Sequence, residues 1–231
     1  MSSSVTTISH LGLILDGNRR WAKGQGLPTL EGHRQGSEVF KTIAFAAFER
    51  GIQFVSAYVF STENWSRTKE EVSYLMKLVI KAFENYLTEF DEHGIRIVLL
   101  GSRNGLDKNV LKAIERTEEL TKNNTKGTLA LCFNYGGHQE IVDATRRIMG
   151  SGLDPQAVTE ATIEQNLYSS DVPPIDLLIR TSGEQRTSGF MLWRAAYAEL
   201  HFTKTLWPDF TISELDEILS EYSKRERRFG K

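Results

Sequence analysis

Short apolar runs alternate with amphipathic stretches along this chain, and that alternation limits its fold more than any other feature. The runs Leu11–Leu15, Phe54–Phe60, Ile95–Leu100, Thr128–Phe133 and Asp176–Arg180 are rich in Val, Ile, Leu and Phe and carry few charges, as strands buried on both faces do. Between them, helices are expected over about Gln35–Arg50, Lys69–His93, Asp107–Asn123 and Gln139–Met149, where apolar residues recur at helical spacing. Strand–helix alternation of this kind predicts an α/β fold, a mostly parallel sheet flanked by helices. With 231 residues, 40% of them hydrophobic, one large domain over residues 10–231 is expected after a disordered segment over residues 1–9. Thr68 with Glu71 and Thr211 with Glu214 have the spacing of helix-opening capping boxes, and Gly94 is placed to end the second helix.

That second helix carries Val72, Leu75, Met76, Val79, Phe83, Tyr86, Leu87 and Phe90 as a stripe, widened by Leu78, Ile80 and Ala82. Such a stripe packs on a sheet or, in part, lines a cavity for a hydrocarbon chain.

In an open parallel sheet, ligands bind beyond the carboxyl ends of the strands. Four polar clusters fall there. The first, Asp16-Gly17-Asn18-Arg19-Arg20-Trp21, ends the first strand and is followed by Gly32-His33. The second is Ser61-Thr62-Glu63-Asn64-Trp65-Ser66-Arg67, the third Asn134-Tyr135-Gly136-Gly137-His138, and the fourth runs from Arg180 through Arg186 and Thr187 to Ser188. A carboxylate, turn amides and guanidinium forks are the parts that hold a phosphate–metal group. The first cluster taken alone also reads as an ordinary Asp-Gly turn with solvated arginines. The formal net charge is −2, so no global basic field points to nucleic acid; an anion site has to come from arginines gathered locally. The lone Cys132 leaves no internal disulfide and suits a reducing compartment. Met1 to Ser9 is polar and no apolar run is long enough to span a bilayer, so a cytoplasmic protein is expected.

The four clusters together resemble the motifs of the cis-prenyltransferases, the undecaprenyl diphosphate synthase family. Asp16–Ala22 is similar to its first motif. Gly32-His33, Ser61–Arg67, Asn134–Gly137, Arg180–Arg186, Glu199-Leu200, Trp207–Phe210 and the terminal Arg228-Phe229-Gly230 follow in the family's order along nearly the whole chain. The resemblance implies a homodimer of α/β subunits with an apolar tunnel. Its reaction would elongate an allylic diphosphate, such as farnesyl or geranyl diphosphate, with isopentenyl diphosphate in cis steps to a polyprenyl diphosphate such as undecaprenyl diphosphate. It implies Mg²⁺ held by Asp16, with Glu199 as a second metal-site carboxylate. Gly17, Asn18, Arg19, Arg20, Trp21 and His33 would hold the allylic diphosphate. Arg180, Arg186, Thr187 and Ser188 would hold isopentenyl diphosphate. Ser61, Thr62, Glu63, Trp65 and Arg67 would line the reacting centre, Asn64 would stand where the family's proposed proton acceptor lies, and Arg228 would complete the partner subunit's site. A peripheral membrane contact would serve product release.

Singly, His33 also reads as a core histidine, Trp65 and Trp207 as core aromatics, and Glu199 as a surface carboxylate. Two positions depart from the family pattern: Thr29 stands where an arginine usually touches the allylic diphosphate, and Gly189 where an Asn usually follows the loop serine. A short-chain synthase and a non-catalytic partner subunit of the same fold are the alternatives. The latter should have lost its metal carboxylate, yet Asp16 and Glu199 are present. A phosphotransferase of the haloacid-dehalogenase type wants a second Asp two residues after Asp16, where this chain has Asn18. A trans-prenyltransferase would need an Asp-Asp-x-x-Asp motif, which the chain lacks.

Overall fold

A computed structural model describes residues 8–224, and of residues 82–85 the backbone alone. Six strands form one parallel sheet: β1 (His10–Ile14), β2 (Phe54–Ser61), β3 (Ile95–Leu100), β4 (Gly127–Tyr135), β5 (Leu177–Arg180) and β6 (Glu199–Phe202). Their order is β3-β4-β2-β1-β5-β6, and every pairing is parallel. The helices are α1 (Asn18–Gly24), α2 (Thr29–Glu49), α3 (Lys69–Glu92), α4 (Lys108–Thr121), α5 (Gly137–Gly150), α6 (Glu160–Asn166) and α7 (Ile212–Ser223).

Alternate residues of each strand serve opposite faces, as the period of two demands. Leu11, Leu13, Leu129, Leu131, Leu177 and Ile179 enter the larger core under α2, α3, α4 and α7. Ile14, Ala130, Cys132 and Leu178 enter a smaller core closed by Tyr135, Tyr168, Phe190 and Met191. The chain winds from β1 toward β2 on one side and finds β5 on the other. The strand order therefore splits between β1 and β5, where a crevice opens beyond the strand ends. The register pairs Ile14 with Arg180, which sets the residues that follow β1 beside the loop that follows β5.

All five expected strands and four expected helices are present, with shifted ends. The first helix begins at Thr29 and not at Gln35, because Pro28 suits the residue before a helix and Gly32 sits inside its first turns. Four elements were not anticipated in full: α1, β6, the body of α7 beyond its capping pair, and α6, where Thr162 with Gln165 offers a helix start but the observed cap is Thr159. β6 is short, and its burial is partial, so it lacks the continuous apolar run that marked the others. Ile8 and Ser9, assigned from sequence to a disordered segment, are held in place. The Ser9 N–H donates to Asp176 Oδ2 at 2.8 Å, and Ile8 packs against the larger core. Thr68 and Thr211 cap α3 and α7 as expected, each accepting from the N–H three residues on. No helix among the described residues is long and apolar enough to cross a membrane.

Candidate active site

Gly17 follows β1 with φ 113° and opens α1, a backbone conformation that favours glycine. A Cβ there would lie 3.1 Å from the Leu206 and Trp207 backbone. Asp16 is pinned through its own backbone: its carbonyl accepts from Trp207 N–H at 3.1 Å and from the Thr181 hydroxyl at 2.6 Å. α1 then crosses α2 at close range, because a Cβ on Gly32 would lie 2.0 Å from the Asn18 carbonyl oxygen and one on Gly36 2.2 Å from Asn18 Oδ1. These two glycines, one helical turn apart, let Asn18 sit against α2 beside His33.

Two polar clusters result, and α1 sends one arginine to each. In the outer cluster Arg180, only 5% exposed, donates to Asp16 Oδ2 at 2.9 Å and to Ser188 Oγ at 2.8 Å, and also to the Arg186 carbonyl. Arg20 donates to the Ser182 carbonyl and hydroxyl and lies 3.8 Å from both Asp16 and Glu184. Burial would raise the Asp16 pKa, but hydrogen bonds from Arg180 and Ser182 and the charges of Arg180 and Arg20 outweigh it and hold the carboxyl below its ordinary value. Asp16 is therefore ionised at neutral pH, and its side chain is 34% exposed.

In the inner cluster Glu71 gathers two guanidinium groups and an imidazole: Arg67 at 2.9 Å, His33 at 3.5 Å and Arg19 at 3.9 Å. Thr68 and Glu71 were read as a capping box. The hydroxyl half forms, while the carboxylate half turns inward to Arg67. Burial first, and then the Arg67 charge, lower the His33 pKa below its usual value, so the ring is neutral at physiological pH.

Asn18, His33, Asn64 and Arg67 form the polar mouth of a cavity of about 200 Å³. Its body is apolar: Phe40 from α2, Leu75, Leu78, Val79, Leu87 and Phe90 from α3, and Ile97, Leu129, Leu131 and Phe133 from the sheet. The α3 stripe thus both packs on the sheet and lines a hydrocarbon-sized space. Val59 reaches the cavity because β2 shifts register between Tyr58 and Phe60, a bulge that re-aims a side chain. Among the described residues, Asn18 Oδ1, His33 Nε2 and Arg180 Nε are buried without a hydrogen-bond partner. Orphaned polar atoms around one crevice are what a polar ligand satisfies.

Ser61 and Asn64 cap a 3-10 turn reciprocally, with Asn64 Oδ1 accepting from Ser61 N–H at 3.0 Å. The acceptor end of the Asn64 amide is thus engaged, leaving its NH₂ as the available group. Trp65 donates to Asn134 Oδ1 at 2.8 Å and meets Phe60 edge-on. Thr62 and Glu63 lie on the same turn, Glu63 on its exposed side. Trp21 is turned to Asp209, to which its indole N–H donates at 2.7 Å. Thr187 lies in the loop between Arg186 and Ser188, its carbonyl accepting from Phe190 N–H. Trp207 is a core aromatic and a cavity wall at once, donating to the Gly36 carbonyl at 2.8 Å.

Within one chain Glu199 is not brought to Asp16. It starts β6 beside Leu177, whereas Asp16 lies beyond the opposite ends of these strands. No cluster of three His, Cys, Asp or Glu side chains suited to a metal exists among the described residues. Arg228 lies outside the described residues. Three participants had no part in the site assigned from sequence: Ser182, Glu184 and Glu71, the last read only as half of a helix cap. The first two sit inside the Arg180–Arg186 stretch, and Glu71 stands one helical turn from Arg67, the spacing that signals an ion pair.

The prenyltransferase family model for undecaprenyl diphosphate synthase matches residues 14–230. An isoprenyl transferase of Thermotoga maritima is 46% identical over 223 residues, covering 96% of each chain. A trans,polycis-polyprenyl diphosphate synthase of Thermobifida fusca, named as specific for (2Z,6E)-farnesyl diphosphate, is 44% identical over 96% of this chain and 80% of its own. The crystal structure of lavandulyl diphosphate synthase from Lavandula x intermedia, in complex with dimethylallyl diphosphate, superposes with a TM-score of 0.93 at 34% identity, covering 97% of this chain and 99% of that one.

Proposed function

The chain belongs to the undecaprenyl diphosphate synthase family of prenyltransferases, and on that premise we propose that it joins isopentenyl diphosphate to an allylic diphosphate of the geranyl or farnesyl kind with a new cis double bond. One observation carries the reading: a cavity with a cationic, amide-lined mouth and an apolar body, the shape of a molecule with a diphosphate head and a hydrocarbon tail.

In this reading the allylic head meets Asn18, Arg19, His33 and Arg67 at the mouth while its tail fills the cavity. The second diphosphate meets Arg180, Arg186 and Ser188, whose guanidinium forks and hydroxyl suit phosphate oxygens. Holding both substrates in one crevice converts a bimolecular encounter into a positioned one. The bond forms between C1 of the allylic unit and C4 of isopentenyl diphosphate; C1 loses its diphosphate and C2 of the isopentenyl unit loses a proton. Arg19, Arg20 and Arg67 stabilise the negative charge of the departing group. Asn64, with its oxygen engaged, acts as a donor that orients a phosphate oxygen and not as a base. Asp16 is one ionised, part-exposed carboxylate, which fits a Mg²⁺ ion held mainly by substrate oxygens. Asp16 would hold such an ion at the crevice, and the ion would supply positive charge for the departing diphosphate.

We also read the chain as a cytoplasmic homodimer with a peripheral membrane contact for its product. Glu199 lies on the edge strand β6 between Tyr197, 87% exposed, and Leu200. An edge strand with exposed apolar neighbours suits burial against a second copy, which would bring Glu199 and Arg228 to a shared site. The test is pyrophosphate release with Mg²⁺. Release is expected only when isopentenyl and allylic diphosphates are both present, and release from the allylic substrate alone would point to a hydrolase.

Thr29 sits one helical turn before His33 on α2, so it shares the face that borders the mouth. Arg34 does not compensate for the arginine usual at position 29: it is bound to Glu31 at 2.8 Å on the exposed side of α2. A hydrogen bond to a charged group contributes about 1.5–3 kcal/mol. Thr29→Arg should therefore lower the KM for the allylic diphosphate roughly ten- to 150-fold and leave the KM for isopentenyl diphosphate nearly unchanged. Steady-state kinetics with a farnesyl primer check this, and an unchanged allylic KM would mean that position 29 faces away from the diphosphate.

Val59 and Phe40 form cavity walls. Val59→Trp should shorten the product or stop elongation after the first addition, read by chromatographic sizing of labelled product. An unaltered product distribution would remove Val59 from the path of the chain.

A further inference from the structure

The third polar cluster, Asn134–Gly137, holds neither diphosphate in the reading above, yet it stands between the two loops that do. A Cβ on Gly136 would lie 2.7 Å from Thr62 Oγ1, and one on Gly137 2.3 Å from the Gly189 carbonyl oxygen. The bare backbone after β4 therefore packs against the Ser61–Arg67 turn on one side and against the end of the Arg180–Ser188 loop on the other.

Asn134 is where that turn is fastened. It is 6% exposed and has φ 48°. The strand bulges there: Phe60 pairs with Phe133 and Ser61 with Tyr135, which leaves Asn134 opposite no residue of β2. A left-handed backbone is adopted readily by few residues besides Gly, Asn and Asp, and the side-chain contacts narrow the choice further. Oδ1 accepts from the Trp65 indole N–H at 2.8 Å, and Nδ2 donates to the carbonyls of Ser102 at 2.7 Å and Asn104 at 3.2 Å. An indole only donates and a carbonyl only accepts, so the amide has one possible orientation. Aspartate would supply the acceptor without the donor, and glycine neither. The Asn134 carbonyl also accepts from Ser102 N–H at 3.1 Å. One residue thus ties together the loop after β3, the end of β4 and the Ser61–Arg67 turn. Within that turn Asn64 Oδ1 returns to Ser61 N–H, and Ser66 Oγ donates to the Glu63 carbonyl at 2.7 Å; Arg67 turns to Glu71 of α3. Trp65 reaches outward to the sheet, and Asn64 and Arg67, on either side of it, line the cavity mouth.

Resting on the transferase reading above, we propose that Asn134 is a positioning residue: through Trp65 it fixes the turn that presents Asn64 and Arg67 to the allylic diphosphate. A small misplacement of such groups is felt strongly in rate. The effect falls on binding of the allylic head and on kcat. It spares the isopentenyl site, whose arginine loop rests on the backbone at Gly137.

The test is steady-state kinetics with isopentenyl diphosphate, a geranyl primer and Mg²⁺, with a thermal melt of each sample, on the native chain, Asn134→Gly, Asn134→Asp, Trp65→Phe and the Asn134→Gly/Trp65→Phe double variant. Glycine keeps the left-handed backbone without strain and removes the amide; phenylalanine keeps a ring against Phe60 and removes the N–H. Asn134→Gly and Trp65→Phe should each raise the allylic KM and lower kcat by roughly five- to tenfold, the scale of one hydrogen bond, with the isopentenyl KM nearly unchanged. The double variant should be no worse than the poorer single one, because both remove the same bond. Asn134→Asp keeps an acceptor for Trp65 and should keep the native allylic KM while melting lower, having lost its donors to the loop after β3. A purely structural role would lower Tm and leave both KM values native. Native allylic KM in Asn134→Gly or in Trp65→Phe overturns the proposal, as do additive effects in the double variant. Should Asn134→Gly fail to fold, the contrast between Asn134→Asp and Trp65→Phe carries the test, and equal allylic KM values for the two overturn it. Absence of incorporation by the native chain with any allylic primer overturns the transferase reading, whereas an active native chain matched by its Asn134 and Trp65 variants overturns only the positioning role.

Discussion

Asp16→Ala should lower kcat on the order of a thousandfold, the scale on which removal of one preorganised electrostatic group acts, and should leave the fold in place. The carboxylate carries no core packing; it lies in the crevice beyond β1, one-third exposed. Arg180, 5% exposed, keeps the Ser188 hydroxyl and the Arg186 carbonyl as acceptors for Nη1 but loses its counter-charge, so the variant should also melt a few degrees below native. An interaction made chiefly in the transition state lowers kcat when removed. The checks are single-turnover kinetics with saturating Mg²⁺ and a thermal melt of the same sample. Turnover within tenfold of native would remove Asp16 from the mechanism.

The largest stability effect is expected at Arg194, far from the crevice. Its guanidinium is 3% exposed and pairs with Glu140, 1% exposed, at 2.8 Å. It also donates to the carbonyls of Val172, Tyr168 and Ser169, tying the irregular segment before β5 to α5. Glu140 in turn accepts from the Tyr135 hydroxyl and the Tyr168 N–H. Breaking a buried pair by removing one partner costs about 3–5 kcal/mol. For a chain of this size each kcal/mol moves Tm by about 2–4 °C, so Arg194→Ala should melt roughly 10 °C below native. Arg194→Lys keeps a cation for Glu140 but loses the planar fork that reaches three carbonyls, and should fall between the two. Differential scanning calorimetry checks the order, and an alanine variant melting within a degree of native would mean that water replaces the fork.

The sequence made the sheet legible because parallel strands buried on both faces must be nearly all apolar, and Leu11–Leu15 or Thr128–Phe133 can hardly be anything else. β6 escaped because Glu199–Phe202 is partly exposed at the sheet edge and too short to show a pattern. α1 escaped because Asn18–Gly24 is polar and begins on a left-handed glycine and not on a capping side chain. The outer cluster was legible, since Asp16 and Arg180 both end strands, and strand ends of a parallel sheet share one edge. The register that pairs Ile14 with Arg180 was not, because the position of β5 beside β1 depends on strand order and not on any local residue. The inner cluster turned on Glu71, whose spacing from Thr68 matched a helix cap while its side chain serves Arg67. The same limit applies to Glu199, whose place in the motif order says nothing about which end of its strand faces the crevice.

The measurement that bears most directly on the proposed chemistry is the geometry of the first double bond made. Native protein, geranyl diphosphate, carbon-labelled isopentenyl diphosphate and Mg²⁺ are incubated to a single addition, and the dephosphorylated product is examined by NMR. A crevice that holds both diphosphates on one side, with the tail in a single cavity, predicts incorporation of label into a product whose new double bond is cis. A trans double bond in the newly added unit, or no labelled product at all, would contradict it.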